Sequence, residues 1–226
     1  MYLENALSDD AYLPLRAEMV ESQIQKRGVR DPRVLQAMLT VPRHEFVPEQ
    51  YRSVAYSDEP LGIGEGQTIS QPYIVAAMTE ALGLRGTEKV LDIGTGSGYQ
   101  AAVLSLLARE VYSVEYRAEL ARSAAERLQR LGFTNVDVHC GDGSLGLTEF
   151  APYDAILVAA SAPSVPAPLR EQLNDQGRLI APIGAEDHQE LLLVTREGNQ
   201  YAAKQREGCR FVPLLGRFGW KDRENL

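Results

Sequence analysis

Three sites in this chain bring glycines or carboxylates to the ends of apolar, β-forming runs, and those sites carry the chemistry it can do. Val90-Leu91-Asp92-Ile93 runs into Gly94-Thr95-Gly96-Ser97-Gly98, with Tyr99 next. Such a turn offers backbone N–H groups and a helix N-terminus to a ligand at close range. Val111-Tyr112-Ser113-Val114 ends in Glu115, 21 positions past Gly94. That is close to the roughly 20 at which a nucleoside-binding unit places the acid that accepts hydrogen bonds from a ribose diol. Asn135–Cys140 leads to Gly141-Asp142-Gly143; Asp142 can accept from an exocyclic amine such as that of adenine, or simply close an Asp-Gly turn. The glycines are spaced G-x-G-x-G, with Tyr99 where a dinucleotide fingerprint wants its third glycine, so the pattern favours a nucleoside-type ligand other than NAD.

A fourth stretch, Gly66-Gln67-Thr68-Ile69-Ser70-Gln71-Pro72-Tyr73, precedes a helix over Ile74–Leu82. Pro72 suits its first turn and Ser70 its N-cap. Two hydroxyls beside free N–H groups also make a natural seat for a carboxylate, and the local residues leave both readings open. His44 beside Glu45 reads as a structural histidine at a helix exit. Cys140 and Cys209 lack metal-type spacing and fall in or beside predicted strands, so they read as buried free thiols, and no metal is expected.

The elements that must position these groups follow from periodicity. Apolar spacing predicts a helix over Tyr12–Arg27, stopped by Gly28, and a second helix opened by Asp31-Pro32. Residues 1–11 read as a loose polar arm, Tyr51–Glu65 as a loop. From Lys89 to Gly184 strands alternate with helices, with Ala118–Leu131 amphipathic and Tyr153–Ala160 apolar enough to be central. A hairpin joins Glu190–Arg196 to Gln200–Arg206 through Gly198-Asn199, and Cys209–Leu215 reads as a last edge strand. Trp220 is expected at the surface. The fold class expected is α/β, a doubly wound, mostly parallel seven-stranded sheet with N-terminal helices. One domain is expected: 1–65 N-terminal helices and a loop, 66–184 the ligand-binding core, 185–226 a hairpin and last strand.

The net charge of −8 and pI near 5.0 argue against a nucleic-acid partner. Arg127–Arg130 reads as the solvated face of a helix. No signal peptide is seen, and no apolar run approaches the ~18 residues of a membrane span. The expectation is a soluble cytoplasmic protein without membrane or nucleic-acid partners.

Taken together, Val41-Pro42-Arg43…Phe46-Val47, Gly66–Tyr73, Val90–Gln100, Gly141-Asp142-Gly143, Tyr153–Pro163 and Arg210-Phe211-Val212-Pro213-Leu214 resemble the protein-L-isoaspartate (D-aspartate) O-methyltransferase family. Gly66–Tyr73 is the specific part, since the glycine turn is common to methyltransferases at large. Gly62 departs from the family's usual proline. The resemblance implies the Rossmann-like methyltransferase sheet, S-adenosyl-L-methionine as cofactor, S-adenosyl-L-homocysteine as product, no metal, and a monomer that starts the repair of isoaspartyl-containing peptides and proteins. It implies Ser70 as the active-site hydroxyl and a cofactor set of Gln71, Asp92, Gly94, Thr95, Gly96, Ser97, Gly98, Glu115, Asp142 and Gly143. For the peptide it implies Leu61–Glu65, notably Ile63, with Thr68, Arg210, Phe211 and Val212. An isoaspartyl α-carboxylate, with a reference pKa of about 3.3–3.7, is already ionised and requires no general base. Rival readings are an NAD oxidoreductase, a methyltransferase for a small molecule or RNA, and a non-catalytic cofactor-binding module.

Overall fold

The computed structural model describes residues 11–221; the expectation for residues 1–11 lies, Ala11 apart, outside them. Helix α1 (Leu13–Glu18) continues into a wide helical turn, Met19–Ile24, and a tight one, Gln25–Arg27, before Gly28. Helix α2 spans Pro32–Thr40; the Asp31 carboxylate accepts from the Arg33 N–H at 2.9 Å, satisfying one orphan donor of its first turn. The expected loop over Tyr51–Glu65 is more ordered than its aperiodic sequence implies. It begins within a tight helical turn, Glu49–Val54, and ends in a short antiparallel hairpin of β1 (Leu61–Gly64) and β2 (Gln67–Ile69).

Helix α3 (Pro72–Leu82) leads to the seven-stranded sheet: β3 (Lys89–Ile93), β4 (Glu110–Glu115), β5 (Val136–Cys140), β6 (Tyr153–Val158), β7 (Leu173–Ala185), β8 (His188–Glu197) and β9 (Gln200–Cys209). Helices α4 (Tyr99–Ser105), α5 (Ala118–Arg130) and α6 (Ala167–Glu171) make the crossovers. Spatial order is β5-β4-β3-β6-β7-β8-β9, parallel through β7 and antiparallel at β8 and β9. The chain winds outward from β3 in both directions, and the crevice beyond the carboxyl ends of β3, β4 and β6 is where such sheets take ligands. Alternation along β3 serves both faces. Val90 joins the core beneath α2, α3 and α4, while Leu91 and Ile93 join the core with Ile156, Val158 and Leu179. Helix α4 is buried at every residue, its polar side chains Gln100 and Ser105 satisfied by Thr79 and the Ala102 carbonyl.

Four expectations are corrected. Arg210–Leu215 is extended but is not a strand; among the described residues isolated bridges alone join it, Pro213 to Ser161 and Leu215 to Trp220, because Pro213 cannot donate to a ladder. Cys140 is exposed and Cys209 half-buried, since β5 and β9 are the sheet's edges. Arg127 is half-buried, donating to the Ser97 carbonyl at 2.8 Å, whereas Gln129 and Arg130 lie on the solvated face as expected. Ser70 does not cap α3: the N-cap is Gln71, without a side-chain bond, and Asp58 accepts from the Tyr73 N–H at 3.3 Å instead.

Candidate active site

Three adjoining cavities meet beyond the ends of β3 and β6, and Thr68 and Ala159 line all three. The first runs from Gly94 and Gly96 past Glu115, Tyr116 and Arg117 to Gly143 and Leu214. The second passes Ser70, Thr95, Ser97, Tyr99 and Gln100. The third is bounded by Pro60, Ser70, Gln71, Ile74 and Arg210–Val212.

The glycine turn is built of left-handed residues, with φ of +93° at Gly94, +54° at Gly96 and +90° at Gly98, a conformation other residues adopt only under strain. Gly98 also lies where a Cβ would stand 3.2 Å from Leu128, so the third glycine lets α5 approach. Glu115 braces the turn: one carboxylate oxygen accepts from the Gly96 N–H at 2.8 Å, the other from the Arg117 N–H at 3.0 Å. Each oxygen keeps a further lone pair for a ligand. Beneath the turn runs a buried chain. Ser113 Oγ donates to Asp92 at 2.7 Å, and Thr95 Oγ1 lies 2.6 Å from Ser113 Oγ. Asp92 has no exposure, and its other oxygen has no partner. Burial pushes its pKa up to about 7, against the Ser113 bond and aided by the Glu115 charge.

Not every sequence-derived candidate faces the first cavity. Asp92 lies under it. Gln71 lines the third and donates to the Asp58 carbonyl at 2.8 Å. The Asp142 carboxylate accepts from Ser144 N–H at 2.9 Å, Ser144 Oγ at 2.6 Å and Arg217 N–H at 2.8 Å, while its neighbour Gly143 forms the wall. A Cβ on Gly143 would stand 2.7 Å from Ile93. Ile63 lines none of the three cavities but rests on the glycine turn, its Cδ1 3.3 Å from where a Gly96 Cβ would be. Phe211 and Val212 line the third cavity with exposed Arg210. The Val212 carbonyl accepts from the Ser161 N–H at 2.8 Å. The hydroxyls of Thr68 and Ser70 make no hydrogen bond among the described residues, and both side chains reach the cavities.

Sequence reasoning missed Ala159, Tyr116, Leu214 and Leu215 as lining residues, and Arg43 and Arg127 as supports. Tyr116 was within reach, as it directly follows the acid at the end of β4. A nucleoside-bearing cofactor suits the first cavity: Gly94, Gly96 and Gly143 line it, and Glu115 offers acceptors. Among the described residues no group of three or more His, Cys, Asp or Glu could hold a metal ion. No helix among them is long and apolar enough to cross a membrane.

A model of the family "Protein-L-isoaspartate(D-aspartate) O-methyltransferase (PCMT)" matches residues 15–219. A protein-L-isoaspartate O-methyltransferase from Dictyoglomus thermophilum is 53% identical over 92% of this chain and 94% of its own. One from Roseiflexus sp. is 55% identical over 91% and 94%. A solved protein-L-isoaspartate O-methyltransferase superposes with a TM-score of 0.80 at 34% identity, covering 90% of this chain and 67% of that one. A Plasmodium falciparum chain described in the same terms, solved with S-adenosyl-L-homocysteine, gives a TM-score of 0.76 at 25% identity over 88% and 98%.

Proposed function

The chain belongs to the protein-L-isoaspartate(D-aspartate) O-methyltransferase family, and from that premise we propose a division of labour among its residues. The enzyme transfers a methyl group from S-adenosyl-L-methionine to the free α-carboxylate of L-isoaspartyl residues in damaged peptides and proteins, the step that initiates their repair. When bound, the sulfonium cofactor supplies an electrophilic methyl group and a neutral thioether leaving group.

Gly94, Gly96, Glu115 and Gly143 hold the cofactor in the first cavity, with Thr95 and Ser97 lining the second beside it and Gly98 closing the turn. Glu115 does so with the lone pairs left over from Gly96 and Arg117. Asp92, through Ser113 and Thr95, stiffens the turn from below, and Asp142 acts through the Gly143–Leu145 turn it caps. Gln71 anchors the segment before α3. Thr68 and Ser70 receive the acceptor where the cavities meet, and Pro60, Arg210, Phe211 and Val212 flank the peptide in the third. Ile63 keeps the hairpin against the glycine turn.

The acceptor arrives as an anion, so these residues need not remove a proton. They hold one oxygen in line and keep bulk water from it, an orientational contribution that in favourable cases reaches about 7–11 kcal/mol. Neutral hydroxyls suit the task, since a direct ion pair would quench the attacking oxygen. The single observation that carries this is the pair of unpartnered hydroxyls, Thr68 and Ser70, at the junction of the cofactor and peptide cavities. The test is transfer of labelled methyl from S-adenosyl-L-methionine to an isoaspartyl peptide beside its aspartyl twin. Base-labile label on the first alone is expected; label on neither refutes the reading. We further propose that the chain acts as one domain, divided at residues 65 and 184, and as a cytoplasmic monomer without nucleic-acid or membrane partners.

A further inference from the structure

Arg43 is fully buried in the tight turn Arg43–Phe46. Its Nε donates to the Ala55 carbonyl at 2.7 Å and its Nη2 to the Ser70 carbonyl at 2.8 Å. Its Nη1 has no hydrogen-bond partner. The guanidinium carbon lies 4.8 Å from the centre of the Tyr99 ring, which itself lines the second cavity. Among the described residues no carboxylate comes within ion-pair distance of it. Asp58 acts on it through space and is itself paired with Arg27. A charge taken out of water is ordinarily matched by an opposite one. Here two carbonyls and a ring face solvate the cation and leave its charge uncancelled. Ser70 is thus gripped through its carbonyl by a buried positive charge, and it lines the second and third cavities.

We propose that Arg43 is a positioning residue for the acceptor: it fixes the Ser70 turn through its carbonyl, and its uncancelled charge makes the pocket select a carboxylate over a neutral amide. The inference rests on the methyl-transfer reading of the same site. It reconciles two demands on the acceptor. The attacking oxygen touches only neutral donors, so its electron pair stays available, while the charge that attracts it stands one layer behind. Methylation removes the acceptor's charge, so the same potential favours departure of the ester.

The test compares two peptides, one with the isoaspartyl α-carboxylate and one with that group as the primary amide, binding to the enzyme saturated with S-adenosyl-L-homocysteine, measured by calorimetry. Wild-type enzyme is expected to prefer the carboxylate. Arg43→Gln, which keeps one donor and loses the charge, is expected to reduce that preference roughly tenfold or more, with S-adenosyl-L-homocysteine affinity unchanged. Arg43→Lys, which keeps the charge but cannot span both carbonyls, is expected to retain the preference while lowering kcat for methyl transfer. An unchanged preference in Arg43→Gln, or its loss in Arg43→Lys, overturns the proposal. Should Arg43→Gln not fold, Arg43→Lys decides alone: preference kept with kcat lowered supports it, and any other pairing overturns it. Wild-type enzyme that methylates the isoaspartyl peptide while the variants behave as wild type leaves the methyl-transfer reading standing and removes only Arg43 from it.

Discussion

Ser70 carries the sharpest expectation at the scale of single residues. Its hydroxyl makes no hydrogen bond within the described fold and caps no helix, so Ser70→Ala removes the contact proposed with the acceptor and little else. Turnover is expected to fall on the order of 10²-fold, the size seen for one preorganised donor, with the S-adenosyl-L-homocysteine dissociation constant unchanged by calorimetry. Glu115→Ala acts in the opposite order. It takes a ligand acceptor and the partner of the Gly96 N–H together, so cofactor affinity is expected to drop first, by about 1.5–3 kcal/mol. Asp92 makes a prediction about pH. Its folded-state pKa of about 7 stands above its ordinary value of 3.8, so between those values the folded chain holds a proton that the unfolded chain releases. Stability from this group is complete below pH 3.8 and is lost as pH rises through about 7. The loss is on the order of 4 kcal/mol, at about 1.4 kcal/mol for each pKa unit. Urea titrations of wild type and Asp92→Asn at pH 5 and pH 8 check this. The variant is expected to lose less stability between the two, and equal losses would show that Asp92 does not titrate in that window.

At the scale of elements, backbone proximity does what side chains cannot. Gly143→Ala places a methyl 2.7 Å from the Ile93 side chain at the wall of the first cavity; crowding of this kind costs about 1–3 kcal/mol. Cofactor affinity and melting temperature are both expected to fall, while the same change at Gly132, with nothing within 4 Å, leaves affinity alone. The strand-end residues Gly94–Gly98 and Glu115 were legible from sequence because strand period and glycine spacing are local signals. The partners of Asp142 were not. Its carboxylate is held by Arg217, 75 residues away in the chain, and no local pattern announces that. Arg210–Leu215 misled for a similar reason. Its β-forming composition is real, but Pro213 and the carbonyl bond of Val212 to Ser161 dock it singly against the loop after β6. Arg43 stood out only as part of the Val41–Val47 stretch, without a role of its own; the fold reveals that its head is sealed between Ala55, Ser70 and Tyr99.

At the scale of the whole molecule, the sheet is a rigid floor and the site is assembled on it from segments far apart in sequence: Pro60–Ile74, Gly94–Gln100, Glu115–Arg117 and Arg210–Leu215. A ligand touching so many segments stabilises the fold by mass action. S-adenosyl-L-homocysteine at a hundred times its dissociation constant contributes about 2.7 kcal/mol, which for a chain of this size is a melting-temperature rise of roughly 5–10 °C. Scanning calorimetry with and without it measures this, and Glu115→Ala is expected to shrink the rise. Ile63 adds a last consequence. Because it packs on Gly96, the hairpin of β1 and β2 touches the glycine turn directly, and a shift of one displaces a side chain that rests on the other. Thermodynamic reciprocity then requires that whatever the first guest does to the grip on the second, the second does in equal measure to the first.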